Sequence, residues 1–158
     1  MDDSHWQAAW LDPSGSGGWA MLCCRQTFLC DSNGLLFPRQ WLQRQELPLL
    51  AEFGIGHFAG DEVYLLTVDQ PLELPGCNWQ GMRQLMLMQP TDSATFQLIG
   101  YAGQIATWAE QYRFCGNCGR PMQRVTGEHG MHCELCAVTH YPRLSPSMIV
   151  LITRGEEI

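Results

Sequence analysis

The chain has 158 residues, 46% of them hydrophobic, and a formal net charge of −7. That is enough apolar material for one ordinary core, or one core and a small module, and apolar runs such as Val63–Val68 and Met148–Ile152 fall far short of the ~20 residues that span a bilayer. All nine basic residues are arginine, and twelve acids dilute the four of them in the first 112 residues, which argues against general attraction to a nucleic-acid backbone.

An anionic ligand must then be met by a local site, where an arginine fork can bind phosphate bidentately. The N-terminus has two acids and no basic region leading into an apolar stretch, so no secretory leader is expected and a cytoplasmic location follows. Taken in chain order, residues 1–92 read as a β-rich domain. Pro13–Gly18 is a flexible loop. Trp19–Cys30, the turn cluster Asp31–Gly34 and the renewed apolar run Leu35–Pro38 suggest a hairpin. A second hairpin is expected where Gly56–Ala59 turns through Gly60-Asp61 into Val63–Val68, and Pro71 and Pro75 end the pattern. Cys23, Cys24, Cys30 and Cys77 read as small hydrophobes.

Between residues 93 and 113, Leu98, Tyr101, Ile105, Trp108 and Tyr112 recur at steps of three and four, the stripe of a connecting amphipathic helix, with Asp92 or Ser93 as N-cap. Residues 114–143 form a cysteine module. Residues 144–158 carry the apolar run Met148–Thr153, a buried strand in expectation, whose sheet partners would lie in a further domain that this segment starts. The fold class expected is therefore α+β.

The cysteine spacing is Cys115-x2-Cys118, fourteen residues, then Cys133-x2-Cys136. Each pair makes a tight knuckle, and two knuckles supply the four thiolates of a tetrahedral metal site. Gly116 and Gly119 are expected to help the first knuckle turn. Four thiolates fill the coordination shell of zinc and leave no place for a reactive water, so the ion should hold the fold rather than catalyse. Iron in the same tetrahedron, or two redox cysteine pairs, are the alternatives. His129, His132 and His140 lie close in sequence but read as surface or hairpin residues.

The motif Phe114-Cys-Gly-Asn-Cys-Gly119, then His132-Cys-Glu-Leu-Cys136, His140-Tyr-Pro-Arg143 and Ser145–Val150, resembles the NADH pyrophosphatase family of Nudix hydrolases. The resemblance extends from about Met82 to Thr153, with a weaker echo at Leu36-Phe-Pro-Arg39. It implies hydrolysis of the pyrophosphate of NADH or NAD, or removal of an NAD cap from RNA, by a homodimer with zinc in the ribbon and Mg²⁺ or Mn²⁺ at catalytic carboxylates. It implies substrate contacts at Arg39, Arg83, Glu128 and Tyr141, types suited to phosphate neutralisation, ribose or amino-group recognition and base stacking. The glutamate-rich catalytic signature of that family is not found in these residues, and Glu156-Glu157 cannot replace it, so the chain by itself is expected to be inactive. The competing reading is a stand-alone zinc-ribbon module that binds nucleic acid or a protein partner.

Overall fold

In the computed structural model, residues 5–15, 17–143, 148–150 and 152 are described. Strand β1 (Trp6–Leu11) is followed by β2 (Trp19–Cys24), β3 (Thr27–Cys30), β4 (Phe37–Pro38), helix α1 (Arg39–Gln43), β5 (Leu49–Phe58), β6 (Asp61–Val68), β7 (Asn78–Gly81), α2 (Met82–Leu87) and α3 (Ala94–Gln111). The first seven strands make one sheet in the order β1-β5-β6-β2-β3-β7, with β4 also paired to β2. The β2–β6 pair is parallel, and the others are antiparallel.

Both faces of the sheet centre are covered, which is why β2 and residues 63–66 of β6 are apolar without a break. Alternation divides their side chains between two cores. Met21, Cys23, Val63 and Leu65 face α3, where Leu98, Ile99, Ala102, Ile105 and Trp108 are buried. Ala20, Leu22, Tyr64 and Leu66 face the other way, against Phe37 and Leu42. Ser93 caps α3, its Oγ accepting from the Phe96 N–H at 3.1 Å. Gly103, a poor helix former, lets α2 approach, because a Cβ there would collide with the Met82 sulfur.

The sheet corrects the first expected hairpin. The β2–β3 turn falls at Arg25-Gln26, with Arg25 at φ 55, rather than at Asp31–Gly34, and the later run Phe37-Pro38 returns to pair with Trp19-Ala20. The second hairpin lies where expected: Ala59 and Gly60, both at positive φ, join β5 to β6 in the manner of a type I′ turn. After the prolines the sheet gains one more strand, β7 on β3. The expected strand at Met148–Thr153 is not formed where it is described. Met148, Ile149, Val150 and Ile152 have no secondary structure and are exposed, while Leu151 and Thr153 lie outside the described residues. An apolar run without a neighbouring strand has no ladder to join.

After α3 come β8 (Gln123–Arg124), β9 (Met131–Cys133) and β10 (Val138–His140), a separate antiparallel sheet in the order β10-β9-β8. Met131 is buried in the same core cluster as α3, so this small sheet is packed on the large one. Among the described residues, no helix is long and apolar enough to cross a membrane.

Candidate metal centre and adjoining cavity

The sulfur atoms of Cys115, Cys118, Cys133 and Cys136 all lie within 4.8 Å of one another, with Cys118 and Cys133 3.5 Å apart. Tetrahedral zinc with Zn–S bonds of about 2.3 Å needs sulfurs ~3.8 Å apart, so the donor set fits the ion. Local backbone geometry places them. The Gly119 N–H donates to the Cys115 carbonyl at 2.8 Å, and Gly119 takes φ 72 immediately after the second cysteine of its knuckle. Ala137 occupies the equivalent place after Cys136 at φ 51. Gly116 does not use the left-handed region, so the first knuckle depends on Gly119 alone in this respect.

Backbone N–H groups of Asn117 and Cys118 pointing at the Cys115 sulfur hold its pKa down at about 7. The hydrogen bond with Cys118 pushes the Cys136 thiol the other way, up to about 12, so Cys115 rather than Cys136 is held toward the thiolate a metal requires. Once bound, the ion supplies charge neutralisation to four sulfurs and fastens two chain segments together.

None of the three histidines joins this cluster. His132 Nδ1 is 2.8 Å from the Thr139 hydroxyl, and the His140 ring stacks on Tyr112 at 4.7 Å. His129 bridges the two sheets: Nε2 lies 2.9 Å from the Gly54 carbonyl and Nδ1 3.3 Å from the Tyr101 hydroxyl. Desolvation lowers its pKa, which suits a neutral ring donating one N–H and accepting one O–H. Arg124 completes the docking, donating to the Glu52 carbonyl with its guanidinium 5.1 Å from the Phe53 ring centre.

Of the residues expected to touch substrate, Glu128 and Tyr141 are brought together. The Tyr141 hydroxyl donates to Glu128 Oε1 at 3.0 Å, and both residues are exposed. That hydrogen bond raises the phenol pKa, so the O–H stays protonated near neutrality. Arg83 is exposed on α2, with no contact to this pair among those described. Arg39 is placed differently from the expectation of a surface contact: it is 0% exposed. Its Nε donates to Glu52 at 2.6 Å, its other nitrogens donate to the Gly15 and Pro13 carbonyls, and its guanidinium lies 3.6 Å from the Tyr64 ring centre.

Beside Glu128 is a cavity of about 230 Å³, walled by the loop after β1, by β5 and α3, and by the ribbon residues 124–130. Trp10, Asp12, Glu52, Trp108 and Arg124 line it, and none was singled out for function from the sequence. They come from four distant segments, and the weak signal available was a tryptophan on the buried stripe of α3. The remaining cysteines behave as apolar filling. Cys23, Cys24 and Cys30 are buried, and burial pushes the Cys23 thiol up to about 12 and that of Cys30 to about 11.

The fold and the four-thiolate centre define an α+β protein carrying a structural zinc ribbon. Residues 16–108 match the family described as the NADH pyrophosphatase-like rudimentary NUDIX domain, and residues 110–141 match the NADH pyrophosphatase zinc ribbon domain. The chain belongs to this NADH pyrophosphatase-like family. Similar proteins include the NAD-capped RNA hydrolase NudC of Stutzerimonas stutzeri, 60% identical over 98% of this chain and 55% of the relative. The NudC proteins of Pseudomonas entomophila, at 53% over 98% and 55%, and of Pseudomonas aeruginosa strain LESB58, at 55% over 100% and 56%, are also similar. The chain spans about half the length of these curated relatives.

Proposed function

We propose that this chain is the recognition and assembly portion of a pyrophosphatase that cleaves NADH, NAD or the NAD cap of an RNA into AMP and the nicotinamide mononucleotide part. The observation that carries the proposal is the Glu128–Tyr141 pair, exposed on the ribbon beside a cavity, in a chain of this family. Tyr141 offers a ring for stacking, Glu128 accepts from hydroxyl or amino groups, and Arg83 meets phosphate. Arg39 contributes by holding the loop and β5 that carry the opposite wall of the cavity.

Catalysis belongs to carboxylates holding Mg²⁺ or Mn²⁺ outside residues 1–158. Among the described residues, the group of three or more metal-ligating side chains is the cysteine cluster. Homodimerisation and a cytoplasmic location belong to the same proposal, the latter supported by the two C-x-x-C pairs, whose spacing reads as metal ligation in a reducing compartment.

Calorimetric titration of NADH into the zinc-loaded chain and its Arg83→Ala variant, with AMP assayed in parallel, tests this. Saturable binding that weakens in the variant, with no AMP formed, is expected. Tight binding of an RNA oligonucleotide that ignores NADH would instead favour a nucleic-acid module.

A further inference from the structure

We propose that Gln104 of α3 and Tyr112 at the C-cap of that helix are positioning residues for Tyr141. They clamp the segment His140–Arg143 against the helix, so that the exposed Tyr141 ring is set in place before a ligand ring stacks on it. The inference rests on the reading of Tyr141 as a substrate contact and adds what holds that ring.

Tyr141 is 50% exposed, and an aromatic side chain with so little packing around it ordinarily samples several rotamers. Here the backbone is tied down on both sides of it. On the N-terminal side the His140 ring stacks on Tyr112, with centres 4.7 Å and planes 26° apart. On the C-terminal side Gln104 Nε2 donates to the Arg143 carbonyl at 2.9 Å, and the Arg143 guanidinium lies 5.8 Å from the centre of the same Tyr112 ring. Between the anchors, Pro142 has its own φ fixed and disfavours helical backbone at Tyr141.

With the backbone held, two contacts set the ring. Its hydroxyl donates to Glu128 Oε1 at 3.0 Å, and its edge lies against Gly130, where an added Cβ would come within 3.3 Å of Tyr141 Cε1. Both anchors meet Tyr112 through its ring, so one half-buried side chain serves the two ends of the segment. A ring ordered before the ligand arrives loses less rotamer freedom on binding, which for one side chain is worth about three- to tenfold in affinity.

The test uses the zinc-loaded chain with ¹³C-labelled tyrosine and glycine, Tyr141 being assigned through Tyr141→Phe. It reads the NOE between the Tyr141 ring and the Gly130 α-protons by NMR, and NADH affinity by calorimetry. Tyr112→Leu and Gln104→Ala should each weaken the NOE and lower the affinity about three- to tenfold. Tyr112→Phe, which keeps the stacking ring, should restore both. In a Tyr141→Ala background the two clamp changes should cost nothing further, because they act through that ring. If Tyr112→Leu does not fold, Gln104→Ala carries the test, at a half-buried helix position where alanine is favoured. An intact NOE in the clamp variants overturns the proposal, as does an equal loss of affinity with and without the Tyr141 ring. Unchanged affinity in the clamp variants, where Tyr141→Ala itself weakens binding, overturns it too. A weakened NOE with no effect of Tyr141→Ala on NADH affinity would uphold the clamp and remove Tyr141 from the substrate reading instead.

Discussion

Arg39 lies wholly out of solvent, yet its fork meets an acceptor in each direction and its face meets the Tyr64 ring. A buried charge persists only with such complete pairing. Truncation to alanine would strand Glu52 and two carbonyl groups, so Arg39→Ala should cost about 3–5 kcal/mol, read as a fall in the urea midpoint. A cost near zero would mean that the network carries no stability.

His129 gives a pH signature. Its folded pKa is depressed by desolvation, below the unfolded value of about 6.5. The unfolded chain therefore takes up the proton first as pH falls. The stability contributed by the neutral ring is present above that value and is lost as pH drops from it toward the folded pKa. His129→Gln should flatten this part of the stability–pH curve, and an unchanged slope would assign it elsewhere. At this scale the four zinc ligands were legible because spacing alone encodes a knuckle. The interior place of Arg39 was not, since its partners Pro13, Gly15 and Glu52 are set by folding and leave no local pattern.

The ribbon hairpin is both a metal-held element and a wall of the cavity. Residues 125–130 join the strands β8 and β9, and β9 ends at the ligand Cys133. A hairpin this short has little core of its own, so its shape depends on the ion, whose binding is worth ~10–16 kcal/mol in comparable sites. Removing zinc with a chelator, or substituting Cys136→Ser, should unfold residues 114–140, while most of the α3 amide protection remains. Retention of the hairpin signals without metal would contradict a structural role.

The elements themselves were unevenly legible. Helix α3 announced itself through its stripe and its Ser93 cap, and the Ala59-Gly60 turn through its glycine. The β2–β3 turn carries no Gly, Pro, Asn or Asp: Arg25 accepts φ 55 because pairing on both sides fixes the chain there. Local composition pointed instead to Asp31–Gly34, which does form a tight turn, with Asp31 Oδ1 accepting from Asn33 and Gly34, but not the one joining those strands.

For the whole molecule, the α+β class followed from the separate strand and helix patterns, whereas the strand order depended on pairings far apart in sequence, such as β2 beside β6 in parallel. The cavity arises only at the contact of the two sheets. That contact unites an acidic chain, net −7, with a few arginines fixed in place, and so favours recognition of one small ligand over attraction to a long polyanion.

The most direct measurement is a competition titration of the zinc-loaded chain at physiological salt, in which bound NADH is challenged with an RNA oligonucleotide bearing an ordinary 5′ triphosphate. Recognition by a local dinucleotide site predicts that NADH stays bound at RNA concentrations up to about 100 μM, the range of weak non-specific binding. Displacement of NADH by low-micromolar RNA, or RNA binding with no NADH binding at all, would contradict it.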